Sequence, residues 1–204
     1  AGTDVGSLKT KATPNGDHYL IRGQKIYITW GEHDMSENII HLVLARLPGA
    51  PAGIKGISLF LVPKLLVNED GTLGNTNDLK ALSIEHKIGI HACPTCVMSY
   101  GEESGAIGYL IGEENKGIQC MFTMMNNARL TVGLQGVSVS ERAYQQALSF
   151  CNERVQGVAP GFKEPGPIIR HPDVQRMLAN MKSITQASRV LTYAACAEVD
   201  YSLS

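Results

Sequence analysis

The chain has 204 residues, enough for one large domain or two small ones with a real hydrophobic core. Its 18 basic and 19 acidic side chains leave a formal net charge of -1, which argues against non-specific nucleic-acid binding, since that needs an electrostatic excess. Charge, glycine or proline interrupts every apolar run short of about 20 residues, so no membrane-spanning helix is expected.

The sequence opens on Ala1-Gly2-Thr3-Asp4-Val5-Gly6, with no initiator methionine and no signal-peptide pattern, and reads as a piece of a longer protein. A glycine-flanked turn of this kind exposes backbone N–H groups, and Thr3 adds a hydroxyl donor. It can hold a phosphate without net positive charge, or it can simply be a turn.

From Tyr19 to Tyr109 the apolar segments are short and β-rich: HYLIRGQKIYIT, NIIHLVLARL, GISLFLVPKLLV, HKIGI, CVMSY and IGYLIG. Turn chemistry separates them at Pro14-Asn15-Gly16, Arg22-Gly23, Pro48-Gly49 and Asp70-Gly71. Several short strands punctuated in this way predict a small barrel or sandwich.

Within this region KIYITWGEHDM puts a threonine hydroxyl and the chain's only tryptophan where a strand runs into a loop. Strand alternation predicts Tyr27 and Thr29 on one face. Trp30 is read as loop packing, and Glu32, Asp34 and Glu37 as a solvated charge run. Cys93-Pro94-Thr95-Cys96 has neither the partner ligands of a zinc site nor a following helix of thioredoxin type, so it is read as structural and no metal is expected. Cysteines at 93, 96, 120, 151 and 196 are odd in number and spread through apolar surroundings, which points to a reducing, cytoplasmic compartment.

From Gly117 the period becomes helical: Ile118, Met121, Phe122, Met125, Ala128 and Val132 recur at three- and four-residue spacing, and the pattern continues to Phe150. Gly133 and Gly136 interrupt it, each costing about 1 kcal/mol against alanine, and are read as sites of close helix packing. Arg129 sits within the apolar stretch as either a paired buried cation or a snorkelling one. After a Gly/Pro loop from Gly157 to Pro167, a second helix is predicted from His171-Pro172-Asp173. Its core stripe is predicted at Val174, Met177, Leu178, Met181, Ile184, Ser188, Leu191 and Ala195.

No common phosphate-binding glycine motif is present, and no Ser/His/Asp or paired-carboxylate set can be assembled from spacing. The residues alone give a β domain followed by two long antiparallel helices, with a candidate anion site.

Five segments, AGTDVGSLKTKA, GQKIYITWGEHD, IEHKIGIHACPTCVMSYGE, IGEENKGIQCMFTMMNNARL and ERVQG, stand in the order found in the flavoprotein acyl-CoA dehydrogenases, and the whole chain resembles that family. The stretch from Val62 to Gly101 is most similar to the larger branch that includes 3-methylmercaptopropionyl-CoA dehydrogenase. The resemblance implies an α+β, multi-domain protein, with a middle β-barrel domain over residues 1–112 and the start of a C-terminal helical bundle over 113–204. It implies FAD as cofactor and an acyl-CoA substrate oxidised to the 2,3-enoyl-CoA. A glutamate removes the α-proton and the β-hydride passes to flavin N5. It also implies an electron-transferring flavoprotein as acceptor and a homodimer or homotetramer.

Residue by residue, Tyr27, Ile28 and Thr29 match the segment that lies against the isoalloxazine. Thr3 stands where the family usually has the serine that contacts flavin and CoA phosphates. Asn126 and Arg129 match the substrate-binding segment. Arg154, with Gln156 and His171 near it, matches the arginine that reaches the FAD pyrophosphate of a neighbouring subunit. Gln156 and Pro172 depart from the Thr and Gln common at those positions. No catalytic residue is assigned within the chain, because the base glutamate is expected beyond Ser204, and the segment alone is expected to bind FAD weakly and to be inactive. The alternative function is a non-catalytic relative that binds nucleic acid or a partner, as in the alkylation-response branch.

Overall fold

The computed structural model describes residues 4–203. The chain divides into two compact units, Ala1–Thr123 and Met124–Ser204.

The first unit is built on β1 (Lys11–Asn15), β2 (His18–Thr29), β3 (Ile40–Ala45), β4 (Ser58–Pro63), β5 (Leu65–Val67), β6 (Leu73–Thr76), β7 (Leu79–Ile84), β8 (Thr95–Tyr100) and β9 (Ala106–Ile111). Seven of these form one sheet in the order β3-β4-β9-β2-β8-β7, with β1 also on β2, while β5 and β6 pair separately. β2 is the shared strand: Tyr19–Ile21 pair with β9, and Gly23–Thr29 pair with β8.

The expected barrel is corrected by this pairing. The ladder ends at β3 on one side and β7 on the other, and among the described residues no strand joins them. HKIGI, expected to be a strand, is a loop in which Ile90 has φ 53 and Ile88 and Ile90 are exposed, so it cannot extend the ladder beyond β7. A single isolated bridge, Lys11 to Arg46, touches across toward β3. The fold class is α+β with an open sheet.

The turn expected at Arg22-Gly23 is also absent, because β2 runs straight through it. Gly23 has φ +141, and a Cβ there would meet Thr10 Cα at 3.0 Å, so the glycine answers a close backbone approach rather than a change of direction. Ile21, Phe60, Val62, Met98, Cys96 and Tyr100 form the centre of the core, with Ala12, Ala45 and Ala106 filling the narrow places. Burying a side chain such as Phe60 contributes about 2–3 kcal/mol.

The long helix α1 (Gly117–Glu153) starts against β4, where the Gly117 N–H donates to the Ile57 carbonyl at 2.9 Å and a Cβ would collide with the Ser58 and Leu59 backbone. In the second unit, α2 (Pro172–Leu203) begins with proline at its first position, as predicted. A part-buried ion pair, Glu141 to Arg189 at 2.7 Å, ties the two helices.

The predicted α2 stripe is only half right: Leu178 is buried, but Met177, Ile184 and Leu191 are 45%, 67% and 71% exposed. Thr185 is buried instead, with Met181, Ser188, Thr192 and Cys196 half-buried, so the covered face is rotated about one position from the most apolar one. Gly133 and Gly136 face open space, and the close packing expected of them does not occur among the described residues. No helix of the described residues is long and apolar enough to cross a membrane.

Candidate functional site

The end of β2 is irregular. Its register with β8 runs through Lys25 opposite Met98 and then resumes with Ile28 opposite Cys96, so Ile26 and Tyr27 bulge against Val97 alone. Tyr27 takes φ 59, rare for an aromatic residue, and the residue is 67% exposed. The bulge breaks the strict alternation from which a common face for Tyr27 and Thr29 was expected. Thr29 is exposed and its hydroxyl has no hydrogen-bond partner among the described residues. Directly across the ladder stands Thr95, half-buried, so two threonines share one face at the strand end. Sequence reasoning missed Thr95 because the motif around it drew attention to its cysteines.

The turn after Thr29 is fixed from both sides. Trp30, with φ 57, donates its backbone N–H to the Pro94 carbonyl at 2.9 Å and stands edge-on to the His33 ring at 5.5 Å. These contacts agree with a packing role for the indole. At Gly31 a Cβ would meet Met98 Sδ at 2.9 Å and Cys96 Cβ at 3.1 Å, so the chain passes where only glycine fits. Asp34 and Glu37 are exposed as expected, but Glu32 is half-buried and paired with Lys64 at 2.5 Å. Cys96 is fully buried, and no cluster able to hold a metal is found among the described residues.

Three titratable groups withdrawn from solvent, Lys25, His41 and Tyr100, lie close to this strand end. The Lys25 ammonium donates to the Leu44 carbonyl at 2.7 Å, and burial pulls its pKa down to about 8. His41 and Tyr100 pair at 2.6 Å; burial lowers the histidine's pKa and raises the tyrosine's.

Thr3 lies outside the described residues. The turn that follows it, a single 3-10 turn over Val5–Ser7, is closed by the Ser7 hydroxyl donating to the Asp4 carbonyl at 2.9 Å.

In the second unit, Asn126 and Arg129 stand one turn apart on an exposed face of α1, with Arg129 Nη1 3.3 Å from Asn126 Oδ1. The guanidinium is therefore not a buried charge within this unit. Arg154, Gln156 and His171 are brought together by the connector between the helices. The Ile168 N–H donates to the Arg154 carbonyl at 2.8 Å, and the Gln156 N–H to the Gly166 carbonyl at 3.2 Å. In the Nε2–H tautomer His171 donates to the Gln156 carbonyl at 2.9 Å. Gln156 thus contributes backbone rather than its amide, and the Arg154 side chain is exposed with no partner among the described residues. Arg170 stacks over Phe162 at 4.6 Å in the same connector.

Comparison with known proteins identifies the scaffold. Residues 115–202 match the family model for the acyl-CoA dehydrogenase C-terminal domain. The chain is 51% identical over 197 residues to 3-methylmercaptopropionyl-CoA dehydrogenase of Ruegeria pomeroyi, a match covering 95% of this chain and 33% of that protein. The chain belongs to the acyl-CoA dehydrogenase family.

Other acyl-CoA dehydrogenases align over the same extent. A butyryl-CoA dehydrogenase of Syntrophomonas wolfei is 46% identical over 204 residues, covering 95% of this chain and 33% of that one. The solved butyryl-CoA dehydrogenase of Megasphaera elsdenii superposes with a TM-score of 0.74 at 29% identity, covering 97% of this chain and 46% of that structure. The chain spans about a third of the length of the curated relatives it matches. FAD binding is typical of this family and fold. The donor set at the end of β2 suits a flavin: an unpaired hydroxyl on Thr29, an exposed aromatic ring at Tyr27 and a flanking apolar Ile28.

Proposed function

We propose that the protein carrying this chain is an FAD-dependent acyl-CoA dehydrogenase of fatty-acid metabolism, which oxidises an acyl-CoA to the 2,3-enoyl-CoA. The observation that carries the reading is the bulged end of β2, which presents Tyr27, Ile28 and an unpaired Thr29 hydroxyl while the Trp30–Gly31 turn holds them in place. When bound, FAD supplies the hydride-accepting group. The chain's part would be to orient it: Thr29 would hold the ring edge through its hydroxyl, and Tyr27 and Ile28 would cover a face and exclude water.

The remaining assignments rest on the family resemblance. Thr3 meets flavin and CoA phosphates, and Asn126 and Arg129 bind substrate. Arg154, with Gln156 and His171 shaping its connector, reaches FAD in a neighbouring subunit of a homodimer or homotetramer. The Arg154 side chain, in no ion pair among the described residues, suits such a role, since its charge is left for an anion. Residues 1–112 act as the middle domain and 113–204 as the start of the helical domain, with the base glutamate outside the chain. We place the enzyme in the cytoplasm, with an electron-transferring flavoprotein as electron acceptor.

The test is a titration of the purified full-length protein with butyryl-CoA and 3-methylmercaptopropionyl-CoA, followed by flavin absorbance. Bleaching by either thioester is expected, and Thr29→Val is expected to slow it by about a hundredfold, at the low end of what loss of one oriented donor does. A colourless full-length protein, or a flavin left unbleached by every acyl-CoA, defeats the proposal.

A further inference from the structure

Arg46, just beyond β3, donates to four backbone carbonyls from two stretches of chain. Nη2 reaches Gly6 at 2.5 Å and Gly53 at 2.7 Å, Nη1 reaches Pro51 at 3.0 Å, and Nε reaches Leu8 at 3.3 Å. Its own backbone bonds to Thr10 and Ala12. The guanidinium thereby clasps the Val5–Ser7 turn to a second 3-10 turn at Gly53–Gly56, where a Cβ on Gly56 would run into the Pro51 carbonyl.

No carboxylate pairs with Arg46 among the described residues, not even Asp4 on the clasped turn. Carbonyl dipoles solvate the cation without cancelling its charge, so a full positive charge stays fixed against this turn. Lys55, on the second turn, is exposed and also unpaired among the described residues. With most of its five N–H donors already committed, the guanidinium has little left for a bidentate grip on a ligand. Its action must come through the turn it holds and the field it sets up.

We propose that Arg46 is a positioning residue for a pyrophosphate-bearing adenine nucleotide. It fixes the Asp4–Leu8 turn and supplies uncompensated positive charge to a phosphate bound there. CoA and FAD both carry that chemistry. The inference rests on the acyl-CoA dehydrogenase reading, which supplies the nucleotide.

The test uses the full-length protein and its Arg46→Gln and Arg46→Lys variants. CoA and pantetheine binding are measured by calorimetry, and FAD and riboflavin binding to apoprotein by flavin fluorescence. Arg46→Gln is expected to weaken CoA or FAD about tenfold and to flatten the salt dependence of that affinity. Pantetheine and riboflavin, which lack phosphate, should bind within about twofold of wild type. Loss of CoA affinity alone, or of FAD affinity alone, names the nucleotide. Arg46→Lys keeps the charge but not the planar fork, so an intermediate loss is expected, and it carries the test if the glutamine variant does not fold. Equal weakening of the phosphate-free ligands would mark a merely structural clasp and overturn the assignment, as would unchanged CoA and FAD affinities. A wild-type protein that binds neither nucleotide defeats the enzyme reading itself, an outcome distinct from failure of the Arg46 variants alone.

Discussion

His41 Nδ1 lies 2.6 Å from the Tyr100 hydroxyl, and this buried pair joins β3 to β8 beside the Gly31 backbone. Burial lowers the histidine's pKa from 6.5, with the Glu32 charge opposing and Lys64 and His33 reinforcing the shift. The fold thus favours the neutral ring. Its contribution is fully present above 6.5 and is lost as pH falls below that value and through the lowered folded pKa. The melting temperature of this chain should therefore drop between about pH 7 and pH 5, and His41→Phe should flatten that drop. Tyr100→Phe removes the hydroxyl partner of a buried ring nitrogen and should cost about 1–3 kcal/mol in urea unfolding at neutral pH.

Lys25 gives a pH profile of the same sign at higher pH. Its pKa falls from 10.5 to about 8 through burial, so holding the charged form inside is costly at neutral pH, and the cost fades as pH rises from about 8 to 10.5. The shift corresponds to about 3 kcal/mol, from which about 1 kcal/mol is subtracted for the Leu44 carbonyl left without its donor. Lys25→Met should accordingly stabilise the chain by about 2 kcal/mol near neutral pH and by much less in strong alkali, measured by urea titration at both.

The Asp78 carboxylate accepts the N–H groups of Glu103, Ser104 and Gly105 at 2.9, 2.8 and 2.9 Å. Burial pushes its pKa up, but these N–H groups outweigh that and hold it below 3.8. The stabilisation is complete above 3.8 and is lost as pH falls through the folded value. Asp78→Ala should free the β8–β9 turn, lower stability by about 2 kcal/mol and speed amide exchange at Glu103, Ser104 and Gly105.

Two glycines should respond with opposite signs to the same change. A methyl at Gly31 would press on Met98 and Cys96, so Gly31→Ala should cost about 1–3 kcal/mol. At Gly133 a methyl meets nothing within 4 Å on an exposed helix, and Gly133→Ala should stabilise by about 1 kcal/mol. Thermal unfolding of both variants checks the pair.

Local signals in the sequence announced most elements, because strand alternation and helix periodicity are written in neighbouring residues. What went unread depends on distant ones. Gly23 looked like a turn because its true constraint, the Thr10 backbone, lies thirteen positions earlier in the chain. HKIGI has strand-like composition, yet among the described residues no strand pairs with it, and its Ile90 carbonyl accepts only a local turn bond from the Cys93 N–H at 3.4 Å. Closure of the sheet is a property of edges, and no single segment encodes it. On α2 the apolar stripe and the covered face diverge because coverage depends on what the helix packs against. At the candidate site, Tyr27-Ile28-Thr29 was legible as a motif, while the bulge, Thr95 across the ladder and the Arg46 clasp all needed the pairing in three dimensions.

Trp30 is the only indole in the chain, and it is held at a defined backbone angle, 41% exposed, against the His33 ring. Its emission therefore reports on a single place, the residue next to Thr29. Loosening of the turn becomes visible as a red shift, and arrival of a yellow chromophore as energy transfer. The strand end comes with its own optical probe, and no label need be added to watch it.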